Sequence, residues 1–197
     1  MSDASCAVNA AQIDGIIGYL SQHLDKRRFH HTLGVLQSCL VLSPYKNVER
    51  NPLMLAALLH DCAKPLDAVA MREMAACDDM IDPSDFDYPP ILHAAAGTVI
   101  AREKFGISDP EVLDAIRYHP TGRDNPSAIL RILIAADYTE PSRDFPAVDD
   151  ARRAVRQDLD NGLLQILKNK ADYVLARGRK LHHRTIDTIN SLEGKKP

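Results

Sequence analysis

The sequence predicts an all-α protein, a single compact helical bundle over residues 1–197. Three observations carry this reading. Apolar residues recur at three- and four-residue spacing in one segment after another. No segment shows the period-two alternation of a half-buried strand. Clusters of Gly, Pro, Asn, Asp and Ser interrupt the helical pattern often enough to fold short helices back on one another.

Element by element, Ile13, Ile16, Ile17 and Leu20 mark a first helix. Leu33, Leu36 and Leu40 mark a second, its apolar face widened by Val35 and Leu42. Asn51 reads as an N-cap and Pro52 as a first-turn residue of a third, which runs through Leu53–Leu59 to His60 and Asp61. Residues 78–90, DDMIDPSDFDYPP, are acidic and proline-rich and read as a loop. ILHAAAGTVIAREKFG reads as a helix closed by Gly106. Ser108 or Asp109 caps the next, with Pro110 in its first turn and Pro120 stopping it just after His119. PTGRDNPS is a turn-rich link, AILRILIAADY a short apolar helix, and TEPSRDFP a loop. A long amphipathic helix is expected from about Val148 to Ala176, and a last one from about Arg184 to Leu192. The terminal GKKP reads as a frayed tail.

Composition narrows the function. A chain of 197 residues with 45% apolar and 26% charged residues is ordinary for a soluble domain. A net charge of −3 and the absence of Trp argue against nucleic-acid binding through bulk charge or base stacking. No apolar run is long enough to cross a membrane, and no basic-then-apolar leader is seen, so a cytoplasmic protein is expected. Cys6, Cys39, Cys62 and Cys77 are scattered without CxxC spacing and read as reduced thiols.

The chemistry lies in polar residues on apolar segments. In ALLHDCAKPL, an apolar run ends in His60 and Asp61, which are costly to bury unless something pairs with them. His31, His93, His119 and Asp137 are set the same way, at helix ends or on apolar stripes. Six such residues converging would supply imidazole and carboxylate ligands for one or two divalent ions. Lys64 lies four residues after His60 and three after Asp61, so it leans toward the same place, and a cation beside a metal suits a phosphate. Two readings stay open for Arg143: a phosphate contact, or an ion pair with Glu140 or Asp144. For Arg28, beside Lys26 and Arg27, a solvated basic face is the alternative.

The order H…HD…H…H…D, with HDCAK matching an HDxxK pattern, resembles the HD-domain metal-dependent phosphohydrolases. RRFHHTLGV, AIRYHPTGR, ADYTEPSRDFP and GRKLHHRTIDTIN sharpen this to the YqeK family of bacterial symmetrical dinucleoside-tetraphosphate hydrolases, over about residues 20–192. Cys62, Pro120 and the HAAAG segment depart from that family's usual residues. The resemblance implies cleavage of diadenosine tetraphosphate to two ADP by attack of a metal-bound hydroxide. It implies a divalent metal, iron foremost, with manganese, cobalt or nickel as alternatives, held by His31, His60, Asp61 and Asp137. It assigns Asp61, Lys64, His93 and His119 to catalysis. It assigns substrate contacts to Arg28, Asp61, Lys64, His93, His119, Asp137, Arg143, Lys180, Leu181, His182, His183, Arg184 and Thr185. The number of ions, and whether His93 and His119 hold a second ion, contact phosphate or protonate the leaving group, stay open. The expected partners are a dinucleoside polyphosphate and ADP, with a homodimer as a family expectation. Another HD nucleotide hydrolase, acting on nucleoside monophosphates or guanosine tetraphosphate, and a low-turnover nucleotide sensor are the competing readings.

Overall fold

The computed structural model describes residues 10–194, so Cys6 and the last residues of the GKKP tail lie outside the described part. The all-α expectation is met: ten α-helices and three short 3₁₀ turns, with no strand among the described residues. Helix α1 spans Ala10–His23 and α2 Lys26–Leu42. Next come α3 (Arg50–Leu59), α4 (Ala68–Ala76), α5 (Leu92–Phe105) and α6 (Pro110–Tyr118). The chain ends with α7 (Ala128–Thr139), α8 (Val148–Gln157), α9 (Leu159–Leu175) and α10 (His183–Leu192).

Helix α7 is the axis. Ile129, Leu130, Ile132, Leu133, Ile134, Ala135 and Ala136 are all buried, as befits a helix that is apolar all round. It packs against α2, α3, α6, α8 and α9 and delivers Asp137 in its last turn. Helix α5 is likewise buried from Leu92 to Ala101. Truncating a fully buried leucine such as Leu133 to alanine would cost about 2–5 kcal/mol.

Local chemistry sets the helix ends. Asp25, Asp67, Asp109, Ser127 and Asp158 each accept a backbone N–H of the first turn that follows them. Gly106, at φ 65°, closes α5 in the left-handed conformation.

Three details depart from the sequence reading. Helix α3 begins after Glu49, so Asn51 is not its cap. First-turn N–H groups have no intrahelical acceptor, so Pro52 fits anywhere in that turn. Helix α4, capped by Asp67, had no counterpart in the expectations. The long helix over 148–176 is two helices. Asp158 leaves helical geometry (φ −153°, ψ 116°) and caps α9 through the N–H of Asn161. Gly162 permits the close packing that follows, since a Cβ there would lie 2.5 Å from the Val155 nitrogen. Helix α10, His183–Leu192 with His182 as its N-cap, meets the expected last helix to within a residue.

Candidate active site

Helix ends bring the polar residues together. Arg28 and His31 come from the start of α2, and His60 and Asp61 follow the end of α3. His93 lies in the first turn of α5, His119 caps the end of α6, and Asp137 comes from α7. His60, Asp61, His93 and His119 are buried, with His60 fully shielded. The ring centroids of His31 and His60 are 5.5 Å apart, those of His60 and His119 5.0 Å, and those of His93 and His119 5.1 Å.

The backbone fixes the tautomers. His60 Nδ1 lies 2.8 Å from the Ala57 carbonyl, His119 Nδ1 2.8 Å from the Ile116 carbonyl, and His93 Nδ1 2.9 Å from the Pro90 carbonyl. A carbonyl can only accept, so each Nδ1 carries the proton and donates it. Ala57 and Ile116 belong to the last turns of α3 and α6, where carbonyls lack intrahelical donors. Each neutral ring therefore presents Nε2 as a bare lone pair.

Those lone pairs face other acceptors. His93 Nε2 and His119 Nε2 are 3.2 Å apart. Asp61 Oδ1 is 3.3 Å from the first and 3.7 Å from the second. His31 Nδ1 donates to Glu140 Oε1 at 3.0 Å, leaving Nε2 at 3.2 Å from Asp137 Oδ1. His60 Nε2 is buried without any hydrogen-bond partner. Imidazole lone pairs and carboxylates converging without a proton shared between them are what a cation resolves. Two triads share His60: His31–His60–Asp137 and His60–Asp61–His119, each with one ligand atom per residue, all within 4.8 Å of one another. Imidazole and carboxylate donors of this kind suit a divalent transition metal.

Electrostatics agree with a site built to hold positive charge. Burial pushes the pKa of His60, His119 and His93 down, that of His93 to about 4, so the rings stay neutral and free to ligate near pH 7. Burial alone would raise Asp61, but His60, His119, His93 and Lys64 hold its carboxyl well below the usual range. Asp137 is likewise held down against burial, chiefly by His31. His31 moves upward, burial being outweighed by its bonds to Asp137 and Glu140.

A cavity of about 640 Å³ opens above this cluster. Arg28, Lys64 and Arg143 line it. Arg28 lies 3.4 Å from Asp61 Oδ2 and Lys64 3.9 Å from Asp61 Oδ1. Arg143 makes the expected ion pair with Glu140, Oε1 at 3.7 Å, adds a closer one with Asp137 at 2.7 Å, and also faces the cavity. Pro90, Ile91 and Pro120 also border a second cavity, of about 890 Å³, walled by Tyr88, Thr121, Lys180, Leu181, His182 and Thr185. His183 is exposed and Arg184 turns to Asp85 at 2.7 Å; neither lines either cavity.

A model of the HD domain matches residues 28–142, more than half of the chain. The chain belongs to the HD-domain family. It is 35% identical over 174 residues to a symmetrical bis(5'-nucleosyl)-tetraphosphatase of Halalkalibacterium halodurans, covering 86% of this chain and 91% of that protein. It is 31% identical over 173 residues to the Bacillus subtilis protein of the same description, covering 88% and 93%. A crystal structure of a predicted HD superfamily hydrolase involved in NAD metabolism from Clostridium acetobutylicum superposes with a TM-score of 0.88 at 36% identity, over 93% of this chain and 98% of that one. The YqeK resemblance read from the sequence thus stands.

Two residues of this HD protein escaped the sequence reading. Glu140 entered it only as a partner for Arg143. It is buried and orients His31, its oxygens held by the Ser142 N–H at 2.6 Å and the Ser142 hydroxyl at 2.5 Å. Gly34 leaves it room, since a Cβ there would lie 2.5 Å from Glu140 Oε2. Lys170, on α9, lines the metal cavity from outside the matched HD segment.

Proposed function

We propose that the protein hydrolyses dinucleoside tetraphosphates, diadenosine tetraphosphate foremost, symmetrically into two nucleoside diphosphates. One observation carries the reading. A cluster of metal-ready acceptors lies at the floor of a cation-lined cavity that continues into a second cavity sized for a nucleoside. The relatives' printed activities supply the substrate class.

His31, His60, Asp61 and Asp137 would hold the divalent ion. Once bound, such an ion neutralises phosphate oxygens and brings the pKa of a bound water from 15.7 toward about 7. The residues around it do the rest. Lys64 and Arg143 offset the charge of the phosphate chain. His93 and His119 keep Nε2 unprotonated, which suits them to accept a hydrogen bond from the attacking water or to ligate a second ion, rather than to donate a proton. The departing ADP needs no donor, because a terminal phosphate has a second pKa of about 6 and leaves readily as an anion. The 180–185 wall would seat one nucleoside and so set which phosphorus meets the water. Iron as the native metal, a homodimer, a single domain over the whole chain and a cytoplasmic setting belong to the same reading.

The test is a nucleotide panel with the protein loaded with ferrous, manganous or cobaltous ion. Two ADP and no ATP or AMP from each diadenosine tetraphosphate is the expected result. ATP plus AMP, preferential turnover of nucleoside monophosphates or guanosine tetraphosphate, or tight ADP binding without turnover would each overturn it.

A further inference from the structure

Five basic side chains border the metal cavity: Arg27, Arg28, Lys64, Arg143 and Lys170. Arg28, Lys64 and Arg143 already face Asp61 or Asp137. Arg27 is exposed. Lys170 is different. Its side chain is partly buried against the cavity wall, and its ammonium makes one hydrogen bond, to the Pro120 carbonyl at 3.0 Å. No carboxylate among the described residues lies within ion-pair distance of it. Burial pushes its pKa below the usual range; Asp137 pulls it back, while Arg143 and Lys64 push the same way as burial. An ammonium has three donors, and two are left over. A partly desolvated cation without a counter-ion gains when an anion arrives to pair with it.

Its position says which anion. Pro120, which it holds, borders both cavities. Val174, one turn further along α9, lines the second cavity. The same helix face therefore runs from the metal cavity to the nucleoside cavity, with Lys170 at the seam. We propose that Lys170 binds an anionic phosphoryl oxygen of the substrate, on the half whose nucleoside lies in the second cavity. This rests on the reading of the protein as a dinucleoside-tetraphosphate hydrolase. The competing role is structural: Lys170 would only fasten the Pro120 carbonyl and the turn after His119.

The two roles separate by charge. Lys170→Gln keeps a donor for Pro120 but loses the charge, and Lys170→Arg keeps the charge. With metal-loaded full-length protein, Lys170→Gln should raise KM for diadenosine tetraphosphate and the Kd for ADP by about tenfold or more, the usual weight of a charge-assisted bond. The loss in kcat should be smaller, adenosine binding should not change, and Lys170→Arg should recover most of the ADP affinity. Lys170→Gln with wild-type KM and ADP affinity overturns the proposal. So do equal losses toward ADP and adenosine, or an arginine variant no better than the glutamine one. Wild-type protein that leaves diadenosine tetraphosphate intact would sink the functional reading instead, and the ADP-against-adenosine comparison would still decide the role of Lys170.

Discussion

The two cavities share a border at Pro90, Ile91 and Pro120, yet different means hold them. The metal cavity is fixed mostly by local bonds, His31 being the exception, held by Glu140 from far along the chain. Each of His60, His93 and His119 is tied to a carbonyl three residues back. The second cavity is fixed at long range. His182 Nε2 donates to Asp85 Oδ1 at 3.0 Å, and Arg184 donates to the same oxygen at 2.7 Å, across roughly half of the chain. The His182 Nδ1 lone pair meanwhile accepts the Arg184 N–H and starts α10. The lesson is a division of labour. On the proposed reading, chemistry would sit where most of the geometry follows from neighbouring sequence, and recognition on a wall fastened at long range by Asp85, with Asp82 also pairing Arg184.

Substitutions should separate the two regions. The largest effect is expected from Asp61→Ala, which removes a carboxylate facing three imidazoles. Turnover should fall on the order of 10³-fold or more, with bound metal reduced in metal analysis. Next is Glu140→Gln, which weakens the hold on His31. Metal affinity should drop about 10–100-fold by competition titration, with KM at saturating metal little changed. Asp85→Asn acts on the other cavity. KM should rise about tenfold as the 180–185 wall loosens, while metal content stays intact. Equal losses of metal from Asp85→Asn and Glu140→Gln would erase the distinction between the regions.

Acid tests the buried rings, chiefly those of the metal cavity but also His182 of the second, and the sign follows from burial. His93 in the folded protein titrates at about 4, below its ordinary 6.5, so the unfolded chain takes up the proton first. Its contribution is full above about pH 6.5 and is lost as pH falls toward 4, on the order of 3 kcal/mol for this group. His60 and His119 shift the same way, whereas His31, raised, gains stability only as pH falls through its raised value to 6.5 and is constant below it. Chemical denaturation of metal-free protein should therefore give falling stability from pH 7 to pH 5. A flat profile would mean that the rings are not buried as neutral lone-pair donors.

The same division governs what the sequence disclosed. His31, His60, Asp61, His93, His119 and Asp137 could be picked out because each breaks an apolar pattern, and helix ends then bring them together. Glu140 and Lys170 could not. A glutamate in a polar loop and a lysine on an amphipathic helix look like surface until tertiary packing covers them. The break at Asp158 was hidden for a related reason. The apolar period runs through it, and only the competition between the Asp158 side chain and the helix reveals it. Asp85 lay in a loop rich in acids, so nothing local marked it as the fastener of a segment about a hundred residues away.

The most direct test of the central claim is a divalent-metal titration of stripped wild-type protein, followed by metal analysis and thermal unfolding. The lone pairs gathered on His31, His60, His93 and His119 should take up one or two equivalents of ion. The melting temperature should rise by about 10 °C at an ion concentration a thousandfold above Kd. A protein that binds none of ferrous, manganous, cobaltous, nickel or zinc ion, and melts at the same temperature with and without them, would contradict it.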